Sequence, residues 1–210
     1  MNSTMGRILF VDLSRDTTDA AVAYDVPPEV YENVLSGVGL GAWVLYNTIP
    51  ADADPLGPEN VLGFVSGLLT GSGSLVTGRW MVVTKSPLTG GWGDANCGGN
   101  LSPAIKQAGY DGIFVRGRAA HPVYLYIDDQ GPQVRDAREY WGLDAVAAEE
   151  RLKAAHTMKR APAVAVIGTA GEQGSLISGI VNDGGRIAAR SGVGAVMGSK
   201  NLKALVLAGK

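Results

Sequence analysis

Cysteine and histidine are scarce in this 210-residue chain, which has one cysteine, Cys97, and two histidines, His121 and His156. A single cysteine excludes a disulfide within the chain, and it excludes a Cys₄ iron–sulfur cluster built from this chain alone. The three side chains together are too few for a closed zinc site. A bound metal would therefore need oxygen ligands or an organic cofactor that supplies its own donor atoms. The lone cysteine also suits a reducing compartment, so we expect a cytoplasmic location.

Long apolar runs and an excess of charge of one sign are also absent. No stretch reaches the roughly 18 uninterrupted apolar residues of a membrane span, and the first residues lack the apolar segment of a signal peptide. The net charge of −2 argues against nucleic-acid binding driven by whole-chain charge, although it is compatible with a local cationic pocket. With 46% hydrophobic and 18% charged residues, the chain can form the packed core of one domain.

Glycine, by contrast, is abundant: the chain has 30 glycines, roughly twice the usual share. Three segments combine glycine with polar or cationic side chains, at residues 77–79 (TGR), 96–99 (NCGG) and 182–198 (NDGGRIAARSGVGAVMG). Glycine lets a main chain approach an anion closely, and the planar guanidinium of arginine matches phosphate oxygens. Together the segments predict a cradle for a phosphate-bearing cofactor. Because Arg186 and Arg190 are four residues apart, we expect both guanidinium groups on one face of a helix.

The pattern of apolar residues and turn formers predicts a sheet-rich α+β fold. A hairpin is expected at the start, with strands at residues 7–13 and 19–24 and a turn at residues 14–16. Further strands are predicted at residues 61–66, 79–85, 112–116, 123–127, 133–136, 163–168 and 204–208. Helices are predicted at residues 27–49, 100–108 and 143–155, and residues 181–197 are expected to be mostly helical or looped. The first helical pattern is interrupted by Gly37, Gly39 and Gly41, which would let another backbone pack close to it.

One pattern occurs twice along the chain. Gly98 and Gly99 lead through small residues to Lys106 and then to a strand at residues 112–117, and residues 192–194 (GVG) lead likewise to Lys200 and a strand at residues 204–209. The shared order of glycine turn, short helix, lysine, strand and glycine suggests two related halves. Chance similarity between glycine-rich segments would give the same pattern, so the sequence leaves both interpretations open.

A dinucleotide site is an alternative at residues 168–174 (GTAGEQG), which follow a predicted strand. The spacing there is G-x-x-G-x-x-G, whereas the dinucleotide fingerprint is G-x-G-x-x-G. The region about 20 residues further on has Arg190 but no acidic residue to bind a ribose. No nucleophile–base pair is evident in the sequence, so we assign no catalytic residue in this chain, which is more typical of a cofactor cradle.

Several strings along the chain fall in the order and spacing of one enzyme family. They are PLGPEN (residues 55–60), TKSPLTG (84–90), AGYD (108–111), IGTAGE (167–172) and GVGAVMGSKNLKA (192–204). Over residues 6–210 the chain resembles the N-terminal domain of the aldehyde ferredoxin oxidoreductase family. The resemblance implies a sheet-rich domain that forms a saddle under a bis-pterin cofactor. In this family a tungsten ion, sometimes molybdenum, is held by the dithiolene sulfurs of two pterins, and a magnesium ion bridges the pterin phosphates.

The resemblance also implies a reaction and partners. Members of the family oxidise aldehydes to carboxylates and pass the electrons through a [4Fe-4S] cluster to ferredoxin. The cluster-binding and substrate-binding residues lie in later domains that this chain does not contain, so we expect it to need those domains or a partner subunit, with ferredoxin or an iron–sulfur subunit as electron partner. The tungsten aromatic acyl-CoA reductases resemble the chain too, and a non-catalytic stand-alone module is a further alternative. The substrate, the choice of tungsten or molybdenum, and a homo-oligomeric state stay open.

Seven residues match positions that contact the pterins in this family: Arg79, Asn96, Gly98, Arg186, Ile187, Ala189 and Arg190. Among them, Asn96 and Ile187 match the positions whose main-chain carbonyls bind the magnesium. Some positions depart from the family pattern: Ile187 and Ala189 stand where alanine and glycine are usual, and Val38 stands where arginine is common. Residues 76–78 (VTG) precede Arg79, where a glycine pair is typical. A main-chain contact survives such replacements better than a side-chain contact.

Overall fold

A computed structural model describes residues 3–15, 20–157 and 160–209 of the chain. Over these residues the strands are β1 (Arg7–Asp12), β2 (Ala21–Asp25), β3 (Leu62–Ser66), β4 (Trp80–Lys85), β5 (Trp92–Cys97), β6 (Gly112–Arg116), β7 (Val123–Asp128), β8 (Gly131–Asp136), β9 (Ala163–Val166), β10 (Ile180–Asn182), β11 (Arg186–Ala188) and β12 (Leu202–Leu207). The helices are α1 (Pro28–Val34), α2 (Val38–Thr48), α3 (Leu101–Gln107), α4 (Ala145–His156), α5 (Thr169–Glu172) and α6 (Val193–Ser199). The predicted α+β class is confirmed.

The strands form two six-stranded sheets with the same topology. The first sheet has the order β2-β1-β6-β3-β4-β5, and the second, read from its other end, has the order β8-β7-β12-β9-β10-β11. Each strand of the second sheet thus has a number six higher than the strand at the equivalent place in the first sheet. The directions also agree: β1 is parallel to β6 and β7 is parallel to β12, while the other neighbouring strands are antiparallel. The prediction of two related halves is confirmed.

The repetition extends to single positions. At an offset of 94 residues, Gly98 and Lys106 correspond to Gly192 and Lys200. Each glycine precedes a short helix, α3 or α6, and each lysine lies at the C-terminal end of that helix. At the same offset, the turn between β4 and β5 and the turn between β10 and β11 both contain a glycine pair, at residues 90–91 and 184–185. The first glycine of each pair has nearly the same φ, +72° and +71°. The two halves therefore present their glycine turns in equivalent places.

The core lies between the two sheets. Trp80, Phe64 and Leu9 of the first sheet belong to the same buried cluster as Leu125 and Leu205 of the second. Helices α3 and α6 contribute to this cluster and contact strands of both sheets. Two further clusters cover the outer faces, with α1 and α2 packed on the first sheet and α4 on the second. Such a layered arrangement buries both faces of the central strands, which explains why β12 is buried along its whole length.

The interruption predicted within the helical pattern at residues 27–49 is present. The chain forms two helices, because Leu35 and Gly37 take positive φ values of +59° and +62°, which an α-helix cannot continue. The glycines do permit close packing, as predicted: a Cβ placed on Gly39 would lie 1.9 Å from the main-chain oxygen of Val34, and one on Gly41 would lie 2.9 Å from Val83 Cγ2. The glycines therefore let α2 cross α1 and lie flat on β4.

The predicted helical or looped character of residues 181–197 is wrong in its first part. Residues 183–185 form a turn of three positive-φ residues, and this turn joins β10 to β11 as an antiparallel pair. Arg186 consequently begins a strand and Arg190 lies in the loop that follows, so the two guanidinium groups do not share a helical face. Strand β5 was not predicted either, although its six residues pair with β4 along their full length.

The remaining predicted elements are confirmed within about two residues at their ends, as is usual for boundaries. The first two strands pair antiparallel as the expected hairpin, although residues 16–19 of the predicted turn and second strand lie outside the described residues. Among the described helices, none has the length and the apolar character needed to cross a membrane.

Candidate functional site

The glycine segments singled out in the sequence meet where the two sheets come together. Strands β5 and β11 are the outermost strands of their sheets, and they contact each other. We call this region the seam, meaning residues 92–99 of the first half and 182–191 of the second. Edge strands leave one side of the main chain without a neighbouring strand in their own sheet. The seam therefore offers main-chain groups from both halves beside exposed side chains.

Two guanidinium groups converge on Gly98. A Cβ placed on this glycine would lie 3.5 Å from Arg186 Nη1 and 3.9 Å from Arg79 Nη1. Arg79 donates a hydrogen bond to the side-chain oxygen of Asn96, whereas the guanidinium group of Arg186 makes no hydrogen bond or ion pair with any other residue that the structure describes. Both arginines are exposed. An exposed, unpaired guanidinium beside a glycine main chain is suited to bind an external anion.

The carbonyl of Gly98 is fixed from both halves. Its oxygen accepts hydrogen bonds from Trp80 Nε1 at 3.2 Å and from Asn182 Nδ2 at 3.1 Å. The thiol of Cys97 donates to Asn182 Oδ1 at 3.2 Å. Because Asn182 belongs to β10 and Trp80 to β4, these bonds set the position of one half relative to the other.

The two halves also approach each other closely at Gly99. Its φ is +111°, and a Cβ there would lie 2.2 Å from Asp183 Oδ2 and 2.4 Å from Asn182 Nδ2. A side chain would therefore collide with the second half and would also strain the main chain. The next residue continues the contact, since the Asn100 N–H donates to Asp183 Oδ2 at 2.7 Å.

Arg190 lies on the same seam but is anchored to the first half. Its Nε donates to the main-chain oxygen of Asp94 at 3.1 Å, and its Nη2 donates to Asp94 Oδ2 at 3.2 Å. The hydroxyl of Ser191 also donates to the main-chain oxygen of Asp94, at 2.9 Å. Between the two arginines, Ile187 and Ala189 are exposed. Of the seven residues expected from the sequence, Arg79, Asn96, Gly98 and Arg186 form one cluster, and the other three lie along the adjoining strand and loop.

Several residues of the seam were missed in the sequence. Asp94, Asn182 and Asp183 each hold the halves together through the hydrogen bonds above, and Glu149 of α4 reaches the turn before Arg186. The sequence contained one signal that could have located part of this set, the polar pair at residues 182–183 directly before two glycines. The partners of these side chains are distant in sequence, and no local pattern reveals them.

The seam does not supply a metal-ligand set of its own. No group of three histidine, cysteine or carboxylate side chains with metal-binding geometry occurs within residues 3–15, 20–157 and 160–209. Burial raises the pKa of the Cys97 thiol, although a hydrogen bond at the Gly98 main chain and the charges of Arg79 and Arg186 act in the opposite direction. The thiol is thus held in its protonated form, which is not the form that ligates metals.

The dinucleotide alternative is not supported by the fold. Strand β9, which precedes the glycines at residues 168–174, is antiparallel to both of its neighbours, β10 and β12. A dinucleotide fold needs a strand–helix–parallel strand unit at this point. Helix α5 is a single turn, and Glu172 at its end forms a buried ion pair with Lys203. These glycines therefore serve packing: a Cβ on Gly171 would lie 3.1 Å from the Gly194 carbonyl oxygen.

Comparison with known proteins gives the chain its family. The profile of the aldehyde ferredoxin oxidoreductase N-terminal domain matches residues 8–209. The chain belongs to this family. It is similar to the tungsten-containing aldehyde ferredoxin oxidoreductases of Pyrococcus horikoshii, with 43% identity over 204 residues, and of Pyrococcus furiosus, with 43% identity over 210 residues. The matches cover 97% and 100% of this chain but only 33% and 34% of those relatives. The chain thus spans about a third of their length.

A solved structure of a second oxidoreductase is also similar. It is the active-site complex BamBC of benzoyl-coenzyme A reductase with 1,5-dienoyl-CoA, which shares 36% identity with this member of the family at a TM-score of 0.92. The match covers 98% of this chain and 31% of that one. The two-sheet fold is therefore shared with an oxidoreductase that is named for a different substrate.

Proposed function

We propose that this chain is the cofactor-holding domain of a tungsten oxidoreductase, and that residues 6–210 bind one face of a tungsten bis-pterin. The observation that carries the proposal is the convergence of Arg79 and Arg186 on Gly98, with Arg186 lacking any described partner. Family membership supports it, because the relatives are named as tungsten-containing enzymes. In this proposal the anions that the two guanidinium groups bind are the phosphates of the pterins.

The residues at the seam fit such a group. Arg79, Arg186 and Arg190 would donate charge-assisted hydrogen bonds to phosphate oxygens. Gly98 gives a main chain that a phosphate can approach, and Ile187 and Ala189 would contribute main-chain groups, which depend little on side-chain identity. A magnesium ion between the phosphates would be bound by the carbonyl oxygens of Asn96 and Ile187, as oxygen ligands suit this cation. The missing thiolate set also fits, since the dithiolene sulfurs would hold the tungsten or molybdenum.

The proposed reaction is the oxidation of aldehydes to carboxylates. When bound, the metal centre supplies the two-electron chemistry. This chain would hold and orient the cofactor, and the residues that bind substrate and the [4Fe-4S] cluster would come from the rest of the protein or a partner subunit. Electrons would then pass to ferredoxin or an iron–sulfur subunit. The coverage of only about a third of the relatives' length supports this division of labour.

A second candidate is a subunit of an aromatic acyl-CoA reductase. The similarity to the benzoyl-coenzyme A reductase complex favours it, since the identity of 36% is not far below that to the aldehyde-oxidising relatives. Assays of the native protein with aldehydes and with aromatic acyl-CoA esters, using the same reduced and oxidised dyes, would separate the two. Turnover of acyl-CoA without aldehyde oxidation would replace the first candidate by the second.

Metal and pterin analysis of the native full-length protein tests the cofactor assignment. We expect stoichiometric tungsten or molybdenum together with two pterins. In Arg186→Ala, the loss of charge-assisted bonds should weaken cofactor retention by about 1.5–3 kcal/mol, which is roughly a 10- to 150-fold effect. Arg118→Ala is the control, because Arg118 is exposed and lies away from the seam. Neither metal in any preparation, or equal retention in both variants, would contradict the proposal.

A further inference from the structure

The turn that precedes Arg186 has an unusual main chain. Asp183, Gly184 and Gly185 have φ values of +48°, +71° and +131°. Three consecutive positive values make a tight reversal, and a non-glycine residue in this region is uncommon. Because Arg186 follows the turn directly and its side chain has no described hydrogen-bond partner, the position of its guanidinium group depends on how well the turn is held.

Helix α4 holds this turn through a buried carboxylate. Glu149 is 1% exposed, and its Oε2 accepts a hydrogen bond of 3.0 Å from the Gly184 N–H. Its Oε1 accepts a bond of 2.5 Å from Lys153 Nζ, one helical turn further on. Lys153 Nζ in turn lies 3.7 Å from Asp183 Oδ1. Glutamate is almost never fully buried unless it is paired, and here one carboxylate oxygen bonds to the turn and the other to Lys153 of the same helix.

The turn is also held from the opposite side. Asp183 Oδ2 accepts bonds from the Asn100 N–H at 2.7 Å and from Asn182 Nδ2 at 3.1 Å. Glu149 therefore completes a clamp in which α4 fixes the turn from the second half and the start of α3 fixes it from the first. The packing of α4 itself relies on other residues, since Ala148 and Leu152 fill the apolar cluster under the helix.

We propose that Glu149 is a positioning residue, which sets Arg186 at the seam by holding the Gly184 amide. The inference rests on the proposed function, because that function assigns an anionic ligand to Arg186. It predicts that Glu149 acts on the cofactor only through Arg186, because its own contacts are with the Gly184 amide and Lys153 and not with the guanidinium groups at Gly98.

A double-mutant cycle in the full-length holoenzyme tests this, with the rate of tungsten loss during dialysis as the readout. We expect Glu149→Ala to accelerate tungsten loss roughly tenfold, as removal of a buried acceptor leaves the Gly184 amide and Lys153 unsatisfied. In the Arg186→Ala background the same change should accelerate it no further. Glu149→Gln, which keeps an oxygen acceptor, should restore most of the retention. Glu150→Ala is the matched control, since Glu150 is the next residue of α4 and its side chain is exposed.

A local measurement separates positioning from loss of fold. Hydrogen exchange of residues 183–186 should rise in Glu149→Ala while exchange in β9 and β12 stays at the wild-type level. If this variant does not fold, Glu149→Asp enters the same cycle, because its shorter side chain withdraws the acceptor from the Gly184 amide and keeps the charge beside Lys153. Additive effects of the two substitutions would overturn the inference. So would wild-type retention in Glu149→Ala when Arg186→Ala loses tungsten, and that result would leave the proposed function standing. An inert Arg186→Ala would overturn both.

Discussion

The main-chain N–H of Asn100 donates a 2.7 Å hydrogen bond to the side chain of Asp183, and so joins the start of α3 in one half to the β10–β11 turn of the other. The same carboxylate oxygen accepts from Asn182 Nδ2. The two related halves are thus connected at the point where their glycine turns meet. A side chain that serves both halves makes the geometry of the seam sensitive to a single substitution.

Asp183→Ala should destabilise the chain through this contact. The substitution removes the acceptor of the Asn100 amide and places alanine at φ +48°, which aspartate, asparagine and glycine tolerate better. We expect the free energy of unfolding to fall by about 2 kcal/mol, measured by urea denaturation, and the Asn100 amide to exchange faster. Asp183→Asn keeps an oxygen acceptor and should lose clearly less. Equal losses in the two variants would show that the bond contributes nothing.

Two adjacent glycines should respond differently to the same methyl group. Gly99→Ala would put a Cβ 2.2 Å from Asp183 Oδ2 at φ +111°, so we expect a loss of stability on the order of 3 kcal/mol. Gly98→Ala meets its nearest atom, Arg186 Nη1, at 3.5 Å, which is ordinary contact. Its stability should therefore change by less than about 1 kcal/mol. In the full-length protein, however, Gly98→Ala should retain less tungsten, because the methyl group occupies the space between the two guanidinium groups. Wild-type tungsten content in this variant would count against a ligand at Gly98.

The parts of the fold that the sequence predicts well are those with strong local signals. The apolar runs of the first hairpin and of β3 form strands as expected. Strand β5 has glycine, aspartate and asparagine at three of its six positions, which are poor strand formers, and it forms because β4 provides a full-length partner. Tertiary pairing thus overrides local propensity at the seam itself.

The candidate site shows the same division. The segments rich in glycine and arginine were predicted to lie together, and they meet at the seam. The signal was local because a close approach of two main chains requires glycine at the point of contact. The four-residue spacing of Arg186 and Arg190 is typical of one helical face. The glycines at residues 184–185 instead form a turn that connects two strands, and this turn places Arg186 in a strand. Glu149 could not be found at all: an amphipathic helix predicts a solvated face for such a residue, and its partner amide is 35 positions away.

Lys200 should make the stability of the chain depend on pH. Burial lowers the pKa of Lys200 from 10.5 to about 8, with the charge of Asp12 acting in the opposite direction. The ammonium group bonds to the carbonyl oxygens of Asn60 and Gly117 at 2.5 and 3.4 Å. Between pH 8 and 10.5 the unfolded chain binds this proton and the folded chain does not, so the free energy of unfolding should rise with pH across that window.

Replacement of the lysine tests this pH dependence. In Lys200→Met, the free energy of unfolding should lack the part of the rise between pH 7.5 and 10 that Lys200 causes in the wild type. This part is on the order of 3 kcal/mol for a pKa shift of this size. Guanidinium denaturation at a series of pH values measures the difference, in which the titration of all other groups cancels. Parallel curves for the two proteins would mean that the buried amine does not titrate in this range.

The ion pair between Glu172 and Lys203 connects α5 to β12. The two side chains are almost completely buried, at 2% and 0% exposure. Lys203 Nζ also donates to the Leu143 carbonyl oxygen at 3.0 Å, and the carboxylate of Glu172 accepts from the Gly142 N–H at 2.9 Å. Burial lowers the pKa of Lys203, and the adjacent Glu172 opposes this shift.

Removal of one partner should be far more harmful than removal of both. Glu172→Met leaves a buried ammonium group without its counter-charge, and we expect a loss of about 3–5 kcal/mol. The double variant Glu172→Met with Lys203→Met replaces the pair by apolar chains of similar length, so it should recover most of that loss, since buried ion pairs add little over well-packed apolar groups. Denaturant unfolding of the four proteins in the cycle provides the measurement. If the double variant is as unstable as the sum of the single variants, the carboxylate and the amine stabilise the fold independently, through Gly142 and Leu143, and the ion pair between them is not what holds α5 on β12.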